Sequence, residues 1–420
     1  MICQSRPALE MADVFRRFGP QLVDQHGASF STAQWKTIGD IERCRTAALG
    51  GHKEVCDSCS HTGYAYNSCR NRHCPKCQGK ARAKWMEKRA MELLPVPYFH
   101  VVFTLPQILA RLALQNKKVI YDILFQATSE TLRQVAAKPK HLGARIGFFA
   151  VLHTWGQQLQ HHPHLHCVVP GGGISMNGTR WVHCKRSRKT GKLFFLPVTV
   201  LSEVFRGKFV HHLRAAYKSG QLSFYGDFQS WRRPGEFERL LDTAVKHKWV
   251  VYAKRPFANP SCLLKYLARY THRVAISNSR LLGIEGGKVV FRWKDYRNGN
   301  EQRTARLDGV TFLRRFLQHV LPRGLFRIRH CGIFCNRFRT ASLARCRELL
   351  GVKRELPESS ALPDEQQNSF SAEEPETDKP KICPNCKQGK MVITERWERG
   401  QRKVDHCSLY RGIFIAFDTS

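Results

Sequence analysis

The chain has 420 residues, 42% of them apolar, enough for two or three domains with at least one sizeable core, and this excludes wholesale disorder. Lys and Arg number 69 against 33 acidic residues, a net charge of +36 with a pI near 10.0, an excess that points to a polyanionic partner. No run approaches the ~18 apolar residues of a membrane span, so the polyanion is read as nucleic acid. The opening Met1-Ile2-Cys3-Gln4 lacks secretory character, so a cytoplasmic chain is expected, with its 16 cysteines as thiols or metal ligands.

Helical patterns open the chain at Met11–Phe18 and Thr32–Leu49. Residues 51–79 are rich in Cys, His, Gly, Asn and Arg and lack the apolar periodicity of a core, so something other than packing must hold them. A basic helix is predicted over Lys80–Leu94, stopped by Pro95 and Pro97. Tyr98–Leu105 and Arg145–Thr154 read as strands around a helical stretch, Ile108–Ala136. A further strand carries His162-Pro163-His164-Leu165-His166 and ends at Pro170-Gly171-Gly172-Gly173. Strand and turn signals occupy Trp181–Phe195, with helices predicted at Leu201–Ser219 and Phe237–Lys246 and a strand at Trp249–Ala253. A helix at Ser261–His272 precedes strands at Val274–Ile276 and Lys288–Trp293 and helices at Thr311–Val320 and Ala341–Leu350. Without a regular βαβ repeat, this order predicts α+β, with a mostly antiparallel sheet flanked by helices. Residues 352–380 carry eight acidic residues among Pro, Ser and Gln and read as a solvated linker, followed by a short cysteine-containing tail.

Three constellations carry chemistry. Cys56-x-x-Cys59 and Cys74-x-x-Cys77, fourteen residues apart, have the spacing of a structural four-thiolate zinc site, with Cys69, His61 and His73 as possible exchanges in the same window. Arg70 and Arg72 between the pairs suit phosphate contact. Cys383 and Cys386, with His406 and Cys407 downstream, form a second candidate zinc set. His164 and His166, two apart in a strand, point to one face. They suit a divalent ion with a third polar ligand on a neighbouring element and positions open for phosphate oxygens; the competing reading is a His-rich surface strand with His153, His161 and His162. Tyr266 and Tyr270, four apart and about 6 Å along a helix, align two phenols on one face. A phenol with a pKa of ~10 needs activation to attack phosphorus, and alone such a pair is more often core. The clusters Trp231-Arg232-Arg233 and Phe291-Arg292-Trp293 suit base stacking or core equally.

Taken jointly, these motifs resemble the HUH-type rolling-circle transposases, specifically the IS91 insertion-sequence group. The resemblance rests on the segment His52–Gly79 with its Tyr66-Asn67-Ser68-Cys69-Arg70-Asn71-Arg72-His73-Cys74-Pro75 core, the strand Pro97–Pro106, His153-Thr154-Trp155-Gly156, the histidine strand, and Tyr266–Arg280. It implies an HUH-endonuclease-like domain in which His164 and His166 bind Mg²⁺ or Mn²⁺ and Tyr266 and Tyr270 are the nucleophiles. Gln157 stands where related nickases place a third ligand, with Gln158 equally near, and Arg70, Arg72, Arg269 and Arg273 would contact DNA. The implied domains are 1–95 (helical lead-in, zinc-binding domain and connecting helix), 96–280 (catalytic), 281–351 (α/β extension), 352–380 (linker) and 381–420 (zinc-binding tail). Cys331 and Cys335 look like substitutions within a family segment and are not assigned to zinc.

The implied activity is nicking of single-stranded DNA at insertion-sequence ends, a 5′-phosphotyrosine intermediate and strand transfer. No Gly-x-x-x-x-Gly-Lys-Ser/Thr loop occurs, so a helicase would come from the host. Competing expectations are a plasmid or phage replication initiator or relaxase, and a non-catalytic zinc-containing DNA-binding protein.

Overall fold

The computed structural model describes residues 9–187, 191–254, 257, 274–296, 298–352 and 381–400, and these form an α+β structure whose sheets are antiparallel and flanked by helices. In chain order the main elements are α1 (Met11–His26), α2 (Thr32–Arg43), β1 (Gly51–Cys56), β2 (Thr62–Tyr66), α3 (Gln78–Ala90), β3 (Tyr98–Thr104) and α4 (Lys117–Ala137). There follow β4 (Gly147–Trp155), β5 (His161–Pro170), α5 (Val198–Lys218), α6 (Pro234–Lys246), β6 (Val251–Lys254), β7 (Leu281–Glu285), β8 (Lys288–Asp295) and β9 (Glu301–Asp308). The last are α7 (Gly309–Leu317), β10 (Ile328–Gly332), α8 (Arg339–Leu349), β11 (Lys381–Ile382) and β12 (Lys390–Trp397).

The central sheet has the order β6-β3-β5-β4-β10. Period-two alternation divides β5 between two environments. Leu165, Cys167 and Val169 enter a core built with α4, α5 and α6, where Phe103, Tyr121, Phe148, Phe205 and Phe209 are fully buried. His164, His166 and Val168 face the other way. On that side α3 and α8 cover the Val168 end, where Phe149, Val151, Leu343 and Cys346 pack together and Trp85 meets Phe149 edge-on at 5.8 Å. Burying the apolar end of the face in this way leaves the histidine end as its polar part.

A meander, β7-β8-β9, lays Val289 and Phe291 against α1 and α7, with Phe15 edge-on to Phe316 at 5.8 Å. Its first turn carries Gly286 and Gly287 at φ +50° and +78°, the two successive positive values that a tight primed hairpin turn requires and that glycine adopts without steric cost. The third sheet has the order β11-β12-β1-β2.

Several elements differ from expectation for physical reasons. The helix predicted over Ile108–Ala136 is interrupted at Asn116, whose side chain leaves the helix to bond both Ser223 N–H and Ser223 C=O. Val274–Ile276 is a bend, not a strand, and Ala275 and Ile276 are used to fill the core beneath α1 and α7. The cysteine-rich stretch contains β1 and β2, and the tail supplies their missing partner: β12 pairs with β1 from Gly51↔Trp397 to Cys56↔Met391. The strands within residues 381–397 therefore belong to the same sheet as β1 and β2. The helix predicted at Ser261–His272, with Tyr266, Tyr270 and Arg269, lies outside the described residues, as do Arg273, residues 353–380, His406 and Cys407. No described helix is long and apolar enough to cross a membrane.

Candidate functional site

Strand register builds a three-imidazole centre. His153 on β4 stands directly opposite His164 on β5, and His166 follows two residues along on the same face. One ligand atom from each of the three lies within 4.8 Å of the others. The rings are 5.6 Å apart for His153 and His164, 4.4 Å for His153 and His166, and 4.8 Å for His164 and His166. His153 and His166 are buried and His164 is half-buried, so the cluster is walled by protein and reachable from one side.

Hydrogen bonds fix how these rings face. His164 Nδ1–H donates to the His162 carbonyl at 2.7 Å, and because a carbonyl only accepts, the lone pair of His164 resides on Nε2. His166 Nδ1 lies 2.7 Å from Nε2 of His100, which stacks on it with rings 4.9 Å apart and 5° from parallel. Burial, reinforced by Lys254 and His164, pushes His100 down to about 3, so it is neutral near pH 7. Trp155 stacks on His153 at 4.7 Å. Three imidazoles, with the tautomer of His164 fixed by a carbonyl and with His100 and Trp155 packed on the other two, are a donor set that fits a divalent metal ion.

The neighbouring histidines have other work. His161 Nδ1–H donates to Ala110 C=O at 3.0 Å, so its Nε2 accepts from Tyr121 Oη at 2.8 Å, on the opposite face of β5. His319 donates from Nε2 to Leu159 C=O at 3.1 Å and accepts at Nδ1 from Thr154 Oγ1 at 3.2 Å. Burial holds both well into the neutral range, at about 4 and about 3. They are satisfied core histidines.

Gln157, expected as third ligand, is engaged elsewhere. Its Nε2 donates to Tyr296 Oη at 3.0 Å, its Oε1 accepts from Lys294 N–H at 3.4 Å, and its carbonyl accepts from Arg280 at 2.5 Å. Gln158 likewise gives its carbonyl to Arg315 at 3.2 Å. Both belong to the turn that joins β4 to β5 and ties it to the β7-β8-β9 meander. The third side chain of the cluster is His153, which two-residue alternation along β4 offers but whose cross-strand register the sequence does not display.

The cysteines also regroup. Cys74 and Cys77 meet Cys44 and Cys69, with Cys77 Sγ 3.2 Å from Cys44 and 3.4 Å from Cys69. Cys56 and Cys59 meet Cys383 and Cys386 instead. The expected set of Cys56, Cys59, Cys74 and Cys77 is thus divided between two clusters, because β1 and β2 carry the first pair away from the turn that holds the second. Hydrogen bonds from Cys44, Cys69 and Cys74 hold Cys77 far below the ordinary thiol range, a thiolate-favouring environment suited to a metal ligand.

Of the expected DNA contacts, Arg70 is exposed, but Arg72 is not presented to a phosphate. Its guanidinium donates to the carbonyls of Leu325 at 2.8 Å, Pro322 at 2.9 Å and Leu321 at 3.4 Å. Phe291 is buried core, and Trp231 stacks on Phe228 at 4.5 Å, whereas Arg232, Arg233 and Arg292 are exposed.

A family model described as a putative transposase matches residues 147–342, which contain all three site histidines. A second, described as a transposase zinc-binding domain, matches residues 14–105, which contain Cys44, Cys69, Cys74 and Cys77. The chain is 53% identical over 391 residues to the putative transposase y4qJ of Sinorhizobium fredii (strain NBRC 101917 / NGR234), covering 93% of this chain and 96% of that one. It is 29% identical over 305 residues to the transposase for insertion sequence element IS801 of Pseudomonas savastanoi pv. phaseolicola, covering 72% and 70%. No solved structure matches the chain.

Proposed function

Because the chain belongs to the IS91-family insertion-sequence transposases with an N-terminal zinc-binding domain, we propose that it is an HUH-type nickase and strand transferase acting on single-stranded DNA. The observation that carries this reading is the meeting of His153, His164 and His166 on one half-open sheet face within the region matched to transposases. These three side chains would hold one divalent ion, and an all-imidazole set suits Mn²⁺ better than the harder Mg²⁺. The ion, when bound, polarises the phosphodiester and offsets charge that builds on its oxygens.

The nucleophiles in this reading are Tyr266 and Tyr270. Attack by a tyrosine Oη on phosphorus forms a phosphotyrosine bond and breaks the P–O3′ bond; the phenolic proton passes to solvent and the departing O3′ takes one up from solvent, leaving a 3′-hydroxyl. The bond broken and the bond formed are both phosphodiesters, so the step conserves energy and a 3′-hydroxyl reverses it on another strand without ATP. Two tyrosines allow two strands to be held in succession. Strand separation falls to a host helicase, and the exposed Arg70, with Arg269 and Arg273, contacts DNA in the cytoplasm.

Incubating the full chain with Mn²⁺ and single-stranded DNA bearing its own element's end should give a denaturation-resistant protein–DNA adduct. Tyr266→Phe combined with Tyr270→Phe should abolish the adduct while DNA binding survives. Absence of any adduct on cognate ends would sink the nickase reading.

A further inference from the structure

The cluster of Cys56, Cys59, Cys383 and Cys386 joins residues more than three hundred positions apart, and Cys383 and Cys386 lie outside both family matches. We propose that these four thiolates bind a second structural Zn²⁺, which clasps residues 381–400 onto β1 and β2. The proposal is independent of the nickase reading.

The spacing of the sulfurs is that of a tetrahedral metal site. Four sulfurs at a Zn–S distance of about 2.3 Å stand about 3.8 Å apart along each tetrahedral edge. Cys56 Sγ lies 3.7 Å from Cys386 Sγ, and Cys59 Sγ lies 3.7 Å from Cys383 Sγ. A disulfide needs about 2.05 Å, so these are not bonded pairs.

The backbone is shaped to serve the sulfurs. Ser60, immediately after Cys59, and Lys387, immediately after Cys386, have φ of +56° and +58°, a conformation that L residues rarely adopt. Arg45 after Cys44 and Arg70 after Cys69 repeat it at +56° and +54°, so both clusters use the same reversal of the chain. Ser58 N–H donates to Cys56 Sγ at 3.4 Å, Gly389 N–H to Cys386 Sγ at 3.3 Å, and Asn385 Nδ2 to Cys59 Sγ at 3.6 Å. Donors aimed at sulfur favour thiolate, the form that binds metal. A Cβ on Gly389 would lie 2.5 Å from Cys56 Sγ, so only glycine admits that sulfur.

The surrounding structure needs such a link. Trp397 packs edge-on to Tyr64 and Tyr66 at one end of the sheet, but the apolar cluster at the sulfur end consists only of Cys56, Cys383 and Met391 with Cys386 beside them, too little to hold that end by burial. Direct ties position the tail without replacing the metal: Asp57 N–H donates to Lys390 C=O at 3.1 Å, Lys390 N–H to Asp57 Oδ1 at 2.8 Å, and Lys381 pairs with Glu54 at 2.8 Å. Four sulfurs complete the set, so His406 and Cys407 are not required. An all-thiolate tetrahedron suits zinc, with iron as the competing occupant.

The test is metal content of the purified full chain by elemental mass spectrometry, in a His164→Ala background that removes the imidazole centre. We expect two zinc ions per chain, falling to one in Cys383→Ser/Cys386→Ser, one in Cys56→Ser/Cys59→Ser, and still one when all four are changed. Cobalt substitution provides a second readout: the thiolate-to-cobalt charge-transfer band should halve in Cys383→Ser/Cys386→Ser while the circular dichroism of the helices is kept. A single zinc in the parent, two zinc ions retained by Cys383→Ser/Cys386→Ser, or iron in place of the second zinc would overturn the proposal.

Discussion

His100 pairs with Val168 across β3 and β5, and from there its ring reaches along the face to lie parallel to that of His166. Since burial keeps His100 neutral, its Nε2 can accept the Nδ1–H of His166, an arrangement that would turn the Nε2 lone pair of His166 toward the other two imidazoles. It is a positioning residue in this arrangement. His100→Ala should weaken Mn²⁺ binding by about 10–100-fold, the usual cost of removing an outer partner of a ligand, and His100→Gln, which keeps an acceptor, should recover part of it. Isothermal titration of Mn²⁺ into the full chain checks both, and an unchanged affinity for His100→Ala would remove the role. His164 and His166 were legible in the sequence because strand alternation is a local property. His153 was visible as a histidine but not as a neighbour, since which residues of β4 oppose β5 is set by the turn between them, and in that turn Gln157 and Gln158 are taken up by bonds to Tyr296, Lys294, Arg280 and Arg315.

The turn carrying Asn71, Arg72 and His73 shows how an element can mislead when it is rich in charge. Asn71 bonds Asp40 on α2 at 2.9 Å, Arg72 gathers three carbonyls between Leu321 and Leu325, and His73 Nε2 accepts Leu321 N–H at 3.3 Å. The element is therefore a buttress between the cysteine cluster and the segment leading to β10. Arg72→Ala should cost ~1.5–3 kcal/mol of stability, the range for hydrogen bonds to a charged group, with single-stranded DNA affinity kept within about twofold. Arg70→Ala, on an exposed side chain, should leave stability alone and lower the salt dependence of binding by about one counterion. Denaturant titration beside fluorescence anisotropy separates the two; weakened DNA binding at full stability in Arg72→Ala would restore its phosphate-contact role. Paired Cys-x-x-Cys motifs were legible for the same local reason as the histidine pair. Their partners were not: Cys44 and Cys69 stand singly, and Cys383 and Cys386 come from far along the chain, so adjacency in sequence favoured a set that the strands β1 and β2 pull apart.

The charge of +36 is a property of the entire molecule and was the feature most directly legible. About six phosphate contacts would weaken binding of single-stranded DNA roughly 300-fold between 50 and 200 mM salt, from a slope near −0.7 per contact. Anisotropy titrations at several salt concentrations measure it, and a flat response would mean that the charge serves something other than DNA. The α+β class was legible from the irregular mixture of strands and helices, whereas the sheet shared by residues 51–66 and 381–397 was not, because neither part shows the apolar alternation of a self-sufficient strand pair. That sharing has a consequence in time. Ribosomes add ~5–20 residues per second, so roughly 15 to 70 s separate the emergence of β1 from that of β12. Through that interval β1 exposes an edge open to other strands. A polypeptide halted before residue 381 would contain the histidine centre and the first cysteine cluster, yet would carry that open edge permanently. Only translation through residue 397 covers it, and incomplete products remain marked for proteolysis or aggregation.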